Sequence, residues 1–184
     1  MLLPIYVYGS SVLRQKAKDI TPEYPELQTL ITNMYETLDK ADGVGLAAPQ
    51  VGLSIRLFIV DGHLLGEDHP ELIEFKRTVI NPKIIEHSEE VSVYNEGCLS
   101  VPGVYADIER PISVTMEYYN EHFEKKVEKF EGFAARMVQH EYSHLDGELF
   151  IDKATPIRKK MSSGKLQEIA KGHNRAHYKT KLVK

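Results

Sequence analysis

Apolar residues recur at spacings of three and four through Leu27, Leu30, Ile31, Met34 and Leu38, which predicts a helix from Pro25 to Ala41. Pro25 suits its first turn. A second stripe, Phe133, Met137, Val138 and Leu145, includes the helix formers Ala134 and Ala135 and predicts a helix from about Glu131 to Leu145, with Gly147 as its stop. A third, basic helix is expected from Pro156 to about Lys171.

Between the first two helices the pattern changes to β-branched and aromatic runs bounded by turn residues. Strands are expected at Ile55–Val60, Thr78–Glu86, Ser88–Asn95, Tyr105–Glu109, Ile112–Tyr119 and Phe123–Phe130, the last two joined as a hairpin around Asn120-Glu121. Asn81-Pro82 places the second of these at an edge or a bulge. Ile5–Tyr8 suits a short strand, Ser10–Lys18 a turn or short helix, Asp61–Phe75 a long hairpin insertion, and Glu148–Asp152 a short extended piece. Strands gathered in the middle with helices around them predict an α+β fold. Its mostly antiparallel sheet would pack around the helix of residues 131–145, with a further helix near the C-terminus.

At 184 residues, with 42% hydrophobic and 27% charged positions, the chain fits a single domain over residues 1–184. Residues 1–172 are expected to form the ordered core and 173–184 a frayed basic tail. No apolar run approaches the ~20 residues of a membrane span, and Met1–Ile5 does not resemble a leader, so a cytoplasmic address is expected. The lone cysteine, Cys98, has no disulfide partner and is a buried hydrophobe, a reactive thiol or a metal ligand. Residues 158–184 carry nine Lys and Arg against one acid, Glu168, a net of +8; the chain as a whole is −4. A basic end on an acidic body suits an anionic partner such as RNA, or simply a solvated tail.

The chemistry begins at Gln139-His140-Glu141-Tyr142-Ser143-His144-Leu145-Asp146-Gly147. On a helix, His140 and His144 share one face one turn apart, where two imidazoles can hold one ion, with Glu141 beside them as a candidate general base. By itself the pattern also fits a solvated surface helix. If Cys98 joins the two histidines, the resulting tetrahedral site keeps one position open, which is the catalytic kind, and its thiolate favours Zn2+ or Fe2+ over Mg2+. Three glycines in Gly43–Gly52 let backbone approach something closely, without the pattern of a dinucleotide fingerprint or a P-loop. Gln50, an amide among small apolar groups there, needs a hydrogen-bond partner or a ligand.

Three motifs in order, Gly43-Val44-Gly45-Leu46-Ala47-Ala48-Pro49-Gln50, Glu96-Gly97-Cys98-Leu99-Ser100 and the Gln139–Gly147 stretch, carry a resemblance to the peptide deformylase family. It spans roughly residues 5 to 170, with Asp61–Phe75 as a variable insertion. The resemblance implies a metal-dependent hydrolase of protein biosynthesis, removing the N-formyl group from formylmethionine of nascent polypeptides. It implies Cys98, His140 and His144 as metal ligands, Glu141 as general acid and base, and Gln50 with the Leu99 N–H as oxyanion donors. Val44 and Gly45 would pair with the extended peptide, and Val44, Phe133 and Met137 would line the methionine pocket. The implied ion is Fe2+, with Zn2+ or Ni2+ able to take its place, and the basic C-terminal helix would dock on the ribosome. One position departs from the pattern: Ser143 stands where the family usually has Asp. That Asp is expected to anchor the helix to an Arg, here Arg110. Two other readings remain: a metallopeptidase cutting internal peptide bonds, and an inactive family member that only binds ribosomes.

Overall fold

In the computed structural model, which describes residues 1–184, the chain opens with a two-residue strand β1 (Ile5–Tyr6) and a 3-10 turn at Ser11–Arg14. Helix α1 (Leu27–Lys40) leads to β2 (Gly45–Ala47), β3 (Leu57–Asp61), β4 (Lys76–His87), β5 (Val91–Glu96), β6 (Ala106–Pro111), β7 (Ser113–Tyr119) and β8 (Lys125–Glu131). Helix α2 (Gly132–Leu145), helix α3 (Pro156–Ile169) and a last short strand β9 (Thr180–Lys181) complete it. The main sheet has the order β2-β3-β4-β7-β8 and is antiparallel throughout. β5 and β6 form a separate antiparallel ribbon, and β1 pairs with β9 in parallel. The fold is α+β, as its sequence pattern predicts.

The apolar run of β3 is continuous because the sheet is covered on both faces. Phe58 and Val60 face α2, packing with Ala135, Val138 and Leu145. Leu57 and Ile59 face α1, packing with Ile31, Met34 and Leu38. A third core lies under the ribbon, where Ala106 and Ile108 of β6 meet Leu166 and Ile169 of α3. α2 is thus sandwiched between the sheet and the ribbon, and its polar residues are forced into the interior. At its end Gly147 adopts a left-handed φ of 74°, the expected stop.

Several local expectations change. Asn81-Pro82 does mark a bulge: the β4–β7 register shifts between Ile80 and Lys83. There Asn81 sits at φ 50° and exchanges two hydrogen bonds with the Ile20 backbone, at 2.8 and 2.9 Å. Residues 61–75 connect β3 to β4 through 3-10 turns at His63–Leu65 and Pro70–Leu72, and Leu72 is buried in the α2 core. Glu148–Asp152 is not extended. Phe150–Lys153 is a 3-10 turn, closed by the Leu149 N–H donating to Asp152 Oδ2 at 3.0 Å. Within Gly43–Gly52, Gly45–Ala47 forms β2, which pairs with β3 at the sheet's edge. Residues 173–184 are not frayed. Ile5 N–H donates to Lys179 O at 2.9 Å and Val7 N–H to Lys181 O at 3.0 Å, which ties the C-terminal end to β1.

Candidate metal centre

α2 carries His140 and His144 on one face, with ring centroids 5.2 Å apart. The turn after β5 brings Cys98 to them, its Sγ 3.4 Å from His144 Nε2. One donor atom from each of the three residues lies within 4.8 Å of the others, and no second trio of His, Cys, Asp or Glu in the chain is so arranged. The donor set suits a divalent ion: two imidazoles and a thiol that binds as thiolate. Two buried atoms beside it, Glu141 Oε2 and His144 Nδ1, have no hydrogen-bond partner in the protein, which is unusual for buried polar groups.

A buried carboxylate organises the site from behind. Glu96 Oε1 lies 2.9 Å from His140 Nδ1 and accepts from Arg110 Nη2 at 3.1 Å, and Oε2 accepts from Arg110 Nε and Arg136 Nη1, both at 2.7 Å. All four side chains sit in the interior between α2 and the ribbon. An Nδ1–H donating to Glu96 leaves the His140 Nε2 lone pair for the cleft side. Burial alone would raise the Glu96 carboxyl, but hydrogen bonds from His140 and Arg110 hold it well below the usual carboxylate range. Arg110 also donates to Ser143 Oγ at 3.2 Å, so the arginine expected at this position is the one found there. Arg136 reaches further, to Ile108 O at 2.8 Å and Ser92 O at 2.9 Å, joining α2 to both ribbon strands.

Glu141 is buried, and that burial pushes its carboxyl up to about 7 against the opposing pull of His140 and Arg110. A carboxyl poised near neutrality can both take and return a proton. Gly45 of β2 lies directly over it: a Cβ there would come within 2.8 Å of Glu141 Cδ, so only glycine lets the sheet edge approach this closely.

A cleft of about 620 Å3 opens onto these groups. Val44 and Gly45 line one side, and Leu65, Phe133 and Met137 form an apolar recess. His69, from the connection between β3 and β4, stacks on Phe133 with centroids 4.8 Å apart, so the insertion supports the recess from outside. Gln50, 1% exposed, has the partners its setting requires: Oε1 accepts from Ala47 N–H at 2.9 Å and Nε2 donates to Ser100 Oγ at 3.1 Å. The same Nε2 lies 3.5 Å from Cys98 Sγ, so the amide is directed at the trio. The Leu99 N–H has no acceptor in the protein.

The polypeptide deformylase family model matches residues 2–160. The chain belongs to that family. A peptide deformylase of Flavobacterium psychrophilum is 47% identical over 190 residues, covering 100% of this chain and 98% of the relative. Among solved structures, the peptide deformylase of Thermus thermophilus superposes with a TM-score of 0.83 at 36% identity, covering 93% of this chain and 99% of that one. The Thermotoga maritima peptide deformylase gives 0.77 at 42% identity, covering 85% and 99%. The chain is thus a hydrolase that removes the N-formyl group from nascent polypeptides, in a metal-dependent family, and Cys98, His140 and His144 form its metal-binding group.

Sequence reasoning missed the roles of Glu96 and Arg136 in orienting this site. Arg136 gave the clearest signal, a charge amid the apolar Ala134, Ala135, Met137 and Val138. Glu96 stood inside a motif without a stated purpose.

Proposed function

We propose that deformylation in this chain uses Cys98, His140 and His144 to hold one divalent ion, Fe2+ in the native enzyme, with Zn2+ and Ni2+ able to take its place. Such an ion supplies Lewis acidity, lowering the pKa of a bound water to about 7. Glu141, buried beside the three ligands, would take a proton from the attacking water and deliver it to the departing amine nitrogen. The Gln50 amide and the Leu99 N–H donate to the negative charge that develops on the formyl oxygen. Gly45 of the edge strand β2 and Val44 just before it pair with the extended peptide, and the recess of Val44, Phe133 and Met137 takes the methionine side chain.

The observation that carries this reading is Glu141: buried, with one oxygen unpartnered, beside the only three-donor cluster in the chain. The test is formate release from formyl-Met-Ala-Ser by protein purified under nitrogen and loaded with Fe2+ or Ni2+. Glu141→Ala is expected to lower kcat by about 10²- to 10⁴-fold with metal content unchanged. Undiminished turnover in that variant would refute the assignment. Ion analysis of protein purified from its source under nitrogen tests the choice of Fe2+.

We assign the chain to the cytoplasm, where formylated nascent chains emerge; no helix is long and apolar enough to cross a membrane. Docking on the ribosome is assigned to α3 through the exposed Lys159, Lys160 and Lys165. Arg158 is engaged elsewhere, its Nε donating to Tyr105 O at 2.8 Å. Deleting α3 would strip Leu166 and Ile169 from a core, so charge reversal at the three lysines is the sharper test. Ribosome binding unchanged in that variant would exclude the role.

A further inference from the structure

The end of the chain returns to the cleft. Residues 175–178 line the same cavity as Cys98, His140 and Glu141, held there by the pairing of β9 with β1. The segment is fastened to both walls. His177 Nε2 lies 3.2 Å from Asp42 Oδ2, on the wall that leads into β2, and Tyr178 Oη donates to Leu99 O at 2.7 Å, on the wall that carries Cys98. Asn174 closes a turn around Arg175: its Oδ1 accepts from Ala176 N–H at 3.1 Å and its Nδ2 donates to Thr180 Oγ1 at 3.3 Å. Arg175 is exposed within this turn, and its guanidinium has neither an ion pair nor a hydrogen bond inside the protein. The other charged side chains along the cleft are engaged. Glu96, Arg136 and His140 join in the buried cluster, Asp42 meets His177, and Glu141 is buried at the metal-binding group. Arginine keeps its charge at every working pH, so the free charge at this end of the cleft is positive.

The course of the substrate leads to this charge. Beyond Gly45 the chain enters the core: Leu46, Ala47 and Ala48 are fully buried, whereas Gly43 and Val44 are half-buried and Asp42 is exposed. A peptide paired with Gly45 and Val44, its formyl end at the metal-binding group, can extend only back past Gly43 to Asp42, antiparallel to β2. Residues of an antiparallel pair oppose one another singly. With the methionine abreast of Val44, the third residue of the peptide comes abreast of Asp42, where His177 joins the C-terminal segment to this wall.

We propose that Arg175 is a specificity-determining residue for deformylation, favouring nascent chains with an acidic side chain at the third residue over those with a basic one. The inference rests on the pairing of the peptide with Val44 and Gly45 proposed above. An exposed charge pair is weak and screened by salt, so the preference for Asp over Lys should be about three- to tenfold at low ionic strength and should fade above about 0.5 M salt.

The test measures kcat/KM for formate release from formyl-Met-Ala-Asp and formyl-Met-Ala-Lys by the full-length, metal-loaded protein. Both peptides are amidated at the C-terminus, so that no terminal carboxylate stands in for the acidic side chain. The ratio compares two substrates on one protein, so any loss of folded or metal-loaded molecules cancels from it. The Asp-to-Lys ratio is expected to be about three to ten in the wild type, to fall to about one or less in Arg175→Ala, and to fall further in Arg175→Glu. Lys179→Ala removes an exposed charge outside the cleft and should keep the wild-type ratio. A wild-type ratio near one, or one that favours Lys, would overturn the proposal. So would a preference that survives Arg175→Ala, or one lost equally in Lys179→Ala, which would make it a property of the overall charge. All of these results leave deformylation standing, whereas no formate release from either peptide would overturn the assigned mechanism together with the proposal.

Discussion

Replacing Glu96 with Gln changes no volume and removes one charge. Four N–H groups converge on the two Glu96 oxygens, from His140, Arg110 twice and Arg136. Gln offers one oxygen and one NH2, so whichever way the amide turns, two of those donors face another donor. Arg110 and Arg136 cannot shed their charge and stay buried, at 4% and 6% exposure. Removing the partner of such a buried pair costs about 3–5 kcal/mol, because the remaining charges are left uncompensated. For a chain of this length that lowers the melting temperature by about 6–20 °C. His140 also loses the ionised acceptor that orients it, which should weaken metal binding by about 10- to 100-fold.

The pH dependence of Glu96→Gln has a definite sign. The folded Glu96 carboxyl lies below its unfolded value, so its stabilisation is complete above about pH 4.3 and is lost as pH falls through the folded pKa. The stability gap between the wild type and Glu96→Gln should therefore be constant from pH 8 to 5 and narrow below about pH 4. Urea unfolding across that range, with metal release to a chelator at pH 7, measures both effects. A variant within about 1 kcal/mol of wild type at pH 7 that keeps its metal equally well would refute the account of Glu96 as the hub.

Two further outcomes follow from the same interior. Ser143→Asp gives Arg110 an ionised acceptor where it now meets a hydroxyl at 3.2 Å, and should raise the melting temperature by about 2–4 °C, the gain of a charged over a neutral hydrogen bond less the carboxylate's desolvation. It should also slow metal loss to a chelator, and equal melting and equal metal retention in the two proteins would refute it. Gly45→Ala places a methyl against the Glu141 carboxylate and should abolish most formate release while the metal is retained, as measured by turnover beside metal analysis.

The metal-binding helix was legible because its signal is local. His140 and His144 are four residues apart, and the stripe that makes them helical lies within the same fourteen residues. The stripe of α1, the hairpin of β7 and β8 and the bulge at Asn81 were legible for the same reason: periodicity and turn chemistry act between near neighbours. The demand of Gln50 for partners could also be read, since a buried amide needs them wherever it sits.

The identity of those partners could not be read. Ala47 N–H is close in sequence, but Ser100 Oγ lies fifty residues away and is brought there by packing. Residues 173–184 read as loose because a two-residue strand has no period, and only its partner β1, at the other end of the chain, gives it structure. Glu96 looks like an ordinary surface charge in a list of residues, and nothing local says that Arg110 and Arg136 both converge on it. The sequence by itself determined where the long helices and the main strands would form and which residues could bind a metal ion and move a proton. Only the tertiary structure decided which charge would neutralise which, because the strength of a charge pair depends on its exclusion from water, and that exclusion exists only once α2 lies buried between the sheet and the ribbon.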